Sequence, residues 1–197
     1  MSSFIGHALT ASFIFVSHRN VQNNINWPGA CWLGWLVLVA LAPDLDYIVT
    51  FLNKTHFAGL RVTHSILFTA LPPLLTIIVL AKFNIRKPLK LSAIQVIAAS
   101  QSHLILDFLV GVHPLPLFWP LSDAAFRTPV GVLPSAGALN LTNFYFYRNL
   151  AIELGVLIPL YLCIQLWIHQ QTKHHIFYAS LLLMSIFSMY LAYNLVR

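Results

Sequence analysis

Charged residues are scarce in this chain of 197 residues: 8% are Asp, Glu, Lys or Arg, and 58% are hydrophobic. Soluble domains carry about 25% charged residues, so this scarcity excludes an ordinary soluble protein and predicts an integral membrane protein. The mean hydropathy of +0.76 agrees with that class. The formal net charge of +6 is dispersed along the chain. We therefore expect no nucleic-acid partner.

Cysteine is also rare, and its placement excludes two kinds of site. Cys31 and Cys163 lie in separate apolar segments without the C-x-x-C spacing of a metal or redox motif. Buried structural thiols are the better interpretation. The first residues lack a basic stretch followed by an A-x-A cleavage motif, so we expect no removable signal peptide.

Six apolar segments approach or exceed the length of about 20 residues that a membrane-spanning helix needs. They are predicted at residues 4–16, 30–52, 62–81, 91–112, 150–168 and 176–196. The first is short for a complete span. The sequence thus predicts an all-α fold, a polytopic membrane helical bundle of about six helices that forms a single domain over residues 1–197.

One long stretch, residues 113–146, is rich in Pro, Gly, Asn and Ser. We predict an extended, ordered loop that covers one face of the bundle, and loops of such length are usually functional. Lys82, Arg86, Lys87 and Lys90 crowd one short connection. By the positive-inside rule that connection is cytoplasmic, which places the long loop on the outer, periplasmic side.

Ionisable residues interrupt the apolar segments, and alternate crossing of the membrane brings them to one leaflet. They are His7, Asp44, Asp46, His64, His103, Asp107, His113 and Glu153. Such groups are costly at membrane depth and by default mark a functional site. His103 and Asp107 are four residues apart and therefore share a helix face. Converging carboxylates repel one another, and a divalent cation removes that conflict.

This residue set predicts a metal centre with a base beside it. Imidazole and carboxylate ligands suit zinc best, although manganese or iron also fits, and there are enough of them for one or two ions. Asp46 or Asp44 is the candidate catalytic base, unless the pair only caps a helix end. Arg127 and Arg148, in or bordering the long loop, are candidates for binding phosphate, with snorkelling to the interface as the alternative.

Five motifs resemble those of the bacterial membrane-bound metal-dependent hydrolases, inner-membrane proteins of which some are labelled LexA-binding. They are GHAL at 6–9, PDLD at 43–46, THS at 63–65, SHLILD at 102–107 and PLFWPLSD at 116–123. As an ordered set they cover about the first four fifths of the chain. The resemblance implies a location in the bacterial inner membrane.

That family is in turn similar to zinc-dependent phospholipase C and the related single-strand nucleases, helical enzymes that hydrolyse phosphodiesters with clustered zinc ions. The resemblance implies metal ligands at His7, Asp44 or Asp46, His64, His103, Asp107 and His113. Those enzymes have a later histidine followed four residues on by a carboxylate. Here Asn149 precedes Glu153 at that spacing, which favours one or two ions over three.

Together, these observations predict a membrane-bound metal-dependent hydrolase that cleaves a phosphoester of a lipid or lipid-linked substrate at the outer leaflet. Two alternatives stay open. Intramembrane Asp and His residues also build the relays of ion- or proton-coupled transporters, with Gln95, Ser100 and Gln101 as a weak polar trail. A regulatory membrane protein with a structural metal would need the same ligands. No protein partner is indicated.

Overall fold

The computed structural model describes residues 2–17, 29–46, 61–84, 88–135, 142–169 and 175–195. These residues form six α-helices: α1 Phe4–Ser17, α2 Gly29–Leu41, α3 Ile66–Phe83, α4 Leu89–Val110, α5 Phe144–Ile168 and α6 His175–Tyr193. Across the described part of the chain there is no strand, only an isolated antiparallel bridge between Leu115 and Phe126. The prediction of an all-α membrane bundle is confirmed.

Four helices, α3 to α6, are long and apolar enough to cross a membrane, and α1 and α2 are shorter apolar helices. A short 3-10 helix, Ala42–Asp44, follows α2. The predicted second segment ran on to residue 52, and its residues beyond 46 lie outside the described part of the chain. The same holds for Arg86 and Lys87 of the connection used to predict orientation.

The helix α5 begins at Phe144, six residues before the predicted start at 150. Asn143 explains the difference, because its side chain accepts a hydrogen bond of 2.9 Å from the backbone N–H of Tyr145 and so caps the helix. The aromatic run that follows therefore forms the first turn of α5. As a correction, the predicted loop 113–146 ends at residue 143.

The chain divides into two compact units. The N-terminal unit comprises His7–Ile105 and Pro114–Phe126, and the C-terminal unit comprises Met1–Gly6, Leu106–His113 and Arg127–Arg197. The boundaries fall inside α1 and α4. The prediction of one membrane-embedded domain over residues 1–197 stays a prediction.

Small and large apolar side chains from α1 to α4 form the core of the N-terminal unit: Ala11, Trp32, Leu36, Val39, Ala40, Leu80, Val96 and Ala99. Polar contacts add to it, since Trp32 Nε1 donates to Gln95 Oε1 at 2.9 Å and the Ser100 hydroxyl donates to the Thr69 carbonyl. Between helices in lipid, where apolar burial gives little driving force, such bonds and close packing hold the bundle together.

In the C-terminal unit, α5 and α6 pack through small residues. The hydroxyl of Ser185 donates to the carbonyl of Val156 at 3.1 Å. A Cβ atom added to Gly155 would lie 2.6 Å from Ser188 Oγ, so the absence of a side chain at Gly155 permits the close approach. Small residues are enriched at helix contacts in membranes for this reason.

Candidate metal centre

Three side chains of the N-terminal unit converge on one point. The Nε2 atoms of His64 and His103 lie 3.2 Å apart, and Asp44 Oδ1 lies 3.6 Å from the first and 3.7 Å from the second. Both imidazoles are fully buried, and the Asp44 side chain is 3% exposed. The three atoms thus form a small, nearly regular triangle of possible metal ligands.

The size of this triangle would accommodate a metal ion, with zinc as the reference for ligand distances. Zn–N and Zn–O bonds of about 2.0–2.1 Å place neighbouring ligand atoms roughly 3.3 Å apart. The observed separations of 3.2, 3.6 and 3.7 Å lie close to that value. A bound ion would be held by one carboxylate and two imidazoles.

The orientation of His103, on α4, is set by the end of α2. Its Nδ1 atom lies 2.7 Å from the carbonyl oxygen of Ala40, and because a carbonyl can only accept, Nδ1 carries the hydrogen. That carbonyl belongs to the last turn of α2, whose carbonyls lack helical partners. Pro43, three residues on, has no N–H with which to close a 3-10 turn onto it. The Nε2 lone pair of His103 therefore points into the triangle.

His64 stands at the end of a 3-10 helix, Val62–His64, immediately before α3. Ser65 fixes this junction, because its side chain accepts from the backbone N–H of Phe68 at 3.1 Å and caps α3. Thr63 Oγ1 lies 3.0 Å from His64 Nδ1. His64 thus presents its other nitrogen, Nε2, to Asp44 and His103.

Asp46 and Arg61 form an ion pair beside the triangle. Arg61 Nε and Nη2 donate to the two carboxylate oxygens of Asp46 at 2.7 and 2.8 Å. Arg61 Nη2 also lies 3.4 Å from Asp44 Oδ1. Of the two aspartates predicted as catalytic base, Asp44 faces the imidazoles directly and Asp46 faces the guanidinium.

His7, in α1, stacks on His103 with the ring centroids 3.9 Å apart and the planes at 11°. Its side chain is completely buried. The structure therefore brings four of the predicted ligands together within the N-terminal unit: His7, Asp44, His64 and His103.

Asp107 and Glu153 belong to the C-terminal unit, where both bind the start of the chain. The backbone N–H of Ser2 donates to Asp107 Oδ1 at 2.8 Å, and the Ser2 hydroxyl donates to Glu153 Oε1. The backbone N–H of Ser3 lies 3.0 and 3.2 Å from the two oxygens of Glu153. Both carboxylates are buried, and they accept hydrogen bonds from the two backbone amides that precede α1.

Gly6 makes room for this arrangement. A Cβ atom at Gly6 would overlap the carboxylate of Glu153, and the Gly6 N–H donates to Ser3 Oγ at 2.9 Å as part of the α1 cap. The glycine of the GHAL motif therefore has a packing role, one residue before His7.

The remaining predicted site residues lie in the C-terminal unit. His113 is exposed beyond the end of α4, and Arg127 is exposed in the stretch that follows. Arg148 lies over the Tyr145 ring at 4.9 Å and donates to Asn149 Oδ1 at 3.2 Å. The contacts described for Arg148 are thus local to the start of α5. Its role and that of Arg127 in binding phosphate stay predictions.

Sequence reasoning did not assign roles to three groups that shape the site. Arg61 was noticeable only as a charge three residues before His64, and Ser2 carried no signal. The only sequence feature that pointed to the Ala40 carbonyl was Pro43, three residues later. Their partners are 15 to 151 residues away in the chain, beyond the reach of local pattern.

The profile of the YdjM inner membrane protein family matches the whole chain, residues 1–197. No curated protein and no solved structure gives a match. The family match and the four apolar helices long enough to span agree on the location of the protein in the inner membrane. The chain belongs to the YdjM inner membrane protein family.

Proposed function

We propose that this inner membrane protein is a metal-dependent hydrolase that cleaves a phosphoester of a lipid or lipid-linked substrate. The observation that carries the proposal is the buried triangle of Asp44, His64 and His103 with sides of 3.2 to 3.7 Å. Two imidazole nitrogens and a carboxylate oxygen converge there, and these are atoms that a divalent cation would bind as ligands.

Zinc is the ion that this donor set fits best, and manganese or iron is the alternative. When bound, such an ion lowers the pKa of a coordinated water towards about 7 and polarises a phosphoryl oxygen. Arg61 adds positive charge next to the triangle, 3.4 Å from Asp44 Oδ1, and its side chain is 16% exposed. It is therefore the group of this cluster best placed to meet a substrate anion.

The location of the site favours a membrane substrate. His64 lies two residues before α3, and His103 lies seven residues before the end of α4. Both helices are candidate membrane spans. His64 therefore lies near the end of an apolar span, where headgroups meet hydrocarbon, and His103 lies about 10 Å inside one. The prediction that this end faces the periplasm rests on the positive-inside rule and is part of the proposal.

The transporter alternative receives less support from the polar residues deeper in the bundle. Gln95 accepts from Trp32 at 2.9 Å, and Gln101 Nε2 donates to Thr69 Oγ1 at 3.2 Å. These residues hold neighbouring helices together, which is their ordinary use in membranes. A transport path would require a series of polar groups available to an ion or proton, and in this trail it is the Gln95 Nε2 group that is buried without a hydrogen-bond partner.

The test is a measurement of bound metal and hydrolysis on the purified protein in detergent. The wild type should contain zinc in a stoichiometric amount and release phosphate or headgroup from phospholipids or lipid-linked phosphates. His103→Ala should lose both properties. A wild-type protein that binds metal but cleaves none of these substrates would favour a structural metal. Ion flux in proteoliposomes would favour a carrier.

A further inference from the structure

Thr63 joins Asp46 to one of the candidate metal ligands. Its hydroxyl oxygen lies 3.2 Å from Asp46 Oδ2 and 3.0 Å from His64 Nδ1. Asp46 is itself fixed by Arg61, which donates at 2.7 Å to Oδ2 and at 2.8 Å to Oδ1. The four side chains thus form a continuous hydrogen-bonded chain that ends at His64.

The number of hydrogens in this chain determines the direction of each bond. An ionised carboxylate only accepts, and the bidentate guanidinium makes the ionised form of Asp46 the consistent one. The single hydrogen of the Thr63 hydroxyl therefore goes to Asp46. The hydroxyl oxygen can then only accept from His64, so Nδ1 carries the ring hydrogen and Nε2 carries the lone pair.

We infer that Asp46 and Thr63 are positioning residues that hold His64 in its metal-binding tautomer. The inference rests on the proposed metal centre and changes the role expected for Asp46. Both oxygens of Asp46 accept from Arg61 or Thr63, and the carboxylate acts through Thr63 rather than on the substrate. His103 has the same tautomer because its Nδ1 donates to the Ala40 carbonyl. Both imidazoles therefore present Nε2 to Asp44.

The experiment measures zinc affinity by competition with a chelator for the full-length protein in detergent. Thr63→Val keeps the shape of the side chain and removes the hydroxyl, and Thr63→Ser keeps the hydroxyl as the matched control. Loss of a partner that orients a metal ligand weakens metal affinity about 10- to 100-fold. We expect that loss for Thr63→Val and less than about threefold for Thr63→Ser.

The Asp46→Asn variant distinguishes a positioning role of Asp46 from a role as catalytic base. The variant replaces one oxygen with an NH2 group, which cannot accept from Arg61 or Thr63, so zinc affinity should fall about 10-fold or more. A residue that only accepts a proton from water would leave zinc affinity unchanged. Wild-type zinc affinity in Asp46→Asn would therefore overturn the positioning role of Asp46.

Imidazole nitrogen NMR of the zinc-free protein gives a second readout. His64 should hold its hydrogen on Nδ1 in the wild type and in Thr63→Ser, and lose that preference in Thr63→Val. An unchanged tautomer or unchanged zinc affinity in Thr63→Val overturns the inference and leaves the metal centre standing. Failure of the wild type to bind zinc, manganese or iron overturns the proposed function itself.

Discussion

The Nε2 atoms of His64 and His103 face each other at 3.2 Å, while both Nδ1 atoms are bonded to other groups. His103 Nδ1 donates to a backbone carbonyl, and His64 Nδ1 contacts the Thr63 hydroxyl. With the His64 tautomer inferred above, the two imidazoles have no hydrogen to share between their Nε2 atoms unless one becomes charged. These three groups could hold a metal ion, and our proposal places one between them.

The first prediction concerns the ligands. His64→Ala and His103→Ala should each reduce bound zinc to less than about a tenth of the wild-type amount, because loss of an outer partner alone weakens metal affinity about 10- to 100-fold and loss of a ligand should weaken it further. Elemental analysis of the purified protein measures the effect. His169→Ala, at the end of α5 where His169 contacts Gln165, is the matched control and should keep its zinc.

The second prediction concerns Glu153, which was expected to be a metal ligand and which binds Ser2 and Ser3 at the start of α1. Glu153→Gln removes a buried charge that accepts from these donors. We expect it to destabilise the protein by about 1–3 kcal/mol and to leave bound zinc unchanged. Thermal unfolding and elemental analysis of the same sample separate the two effects, and a loss of zinc would identify Glu153 as a ligand.

The third prediction concerns Gly6. Gly6→Ala places a methyl group against the Glu153 carboxylate and should destabilise the protein by about 1–3 kcal/mol through overpacking. Gly34→Ala in α2 is the matched control, because nothing lies within 4 Å of its added Cβ. That variant should be neutral or more stable by about 0.5–1 kcal/mol. Equal melting temperatures for the two variants would contradict the packing role of Gly6.

The fourth prediction concerns the contact between α5 and α6. Gly155→Ala brings a methyl group to 2.6 Å from Ser188 Oγ and 3.3 Å from its Cβ, so it should destabilise the protein by about 1–3 kcal/mol. Ser188→Ala removes the closer of these atoms. The double variant should therefore recover most of the loss, and purely additive effects in unfolding experiments would argue against a direct contact.

Much of the architecture follows from the sequence because hydropathy is a local property. Six apolar segments predicted six helices, and the structure has them within the residues it describes. The observed start of α5 differs from the predicted start because one capping residue, Asn143, extends the helix into a stretch of aromatic residues. A single side-chain bond to the backbone decides such a boundary, and composition does not reveal it.

The sequence by itself singled out the ionisable residues of the apolar segments as site candidates, since a charge in an apolar segment needs a partner. It offered Asp46 or Asp44 as the catalytic base without a reason to choose between them. The tertiary structure separated them: Asp44 faces His64 and His103, while Asp46 binds Arg61 and Thr63. The direction of a side chain depends on turns and hydrogen bonds between distant segments, and only the folded chain supplies these.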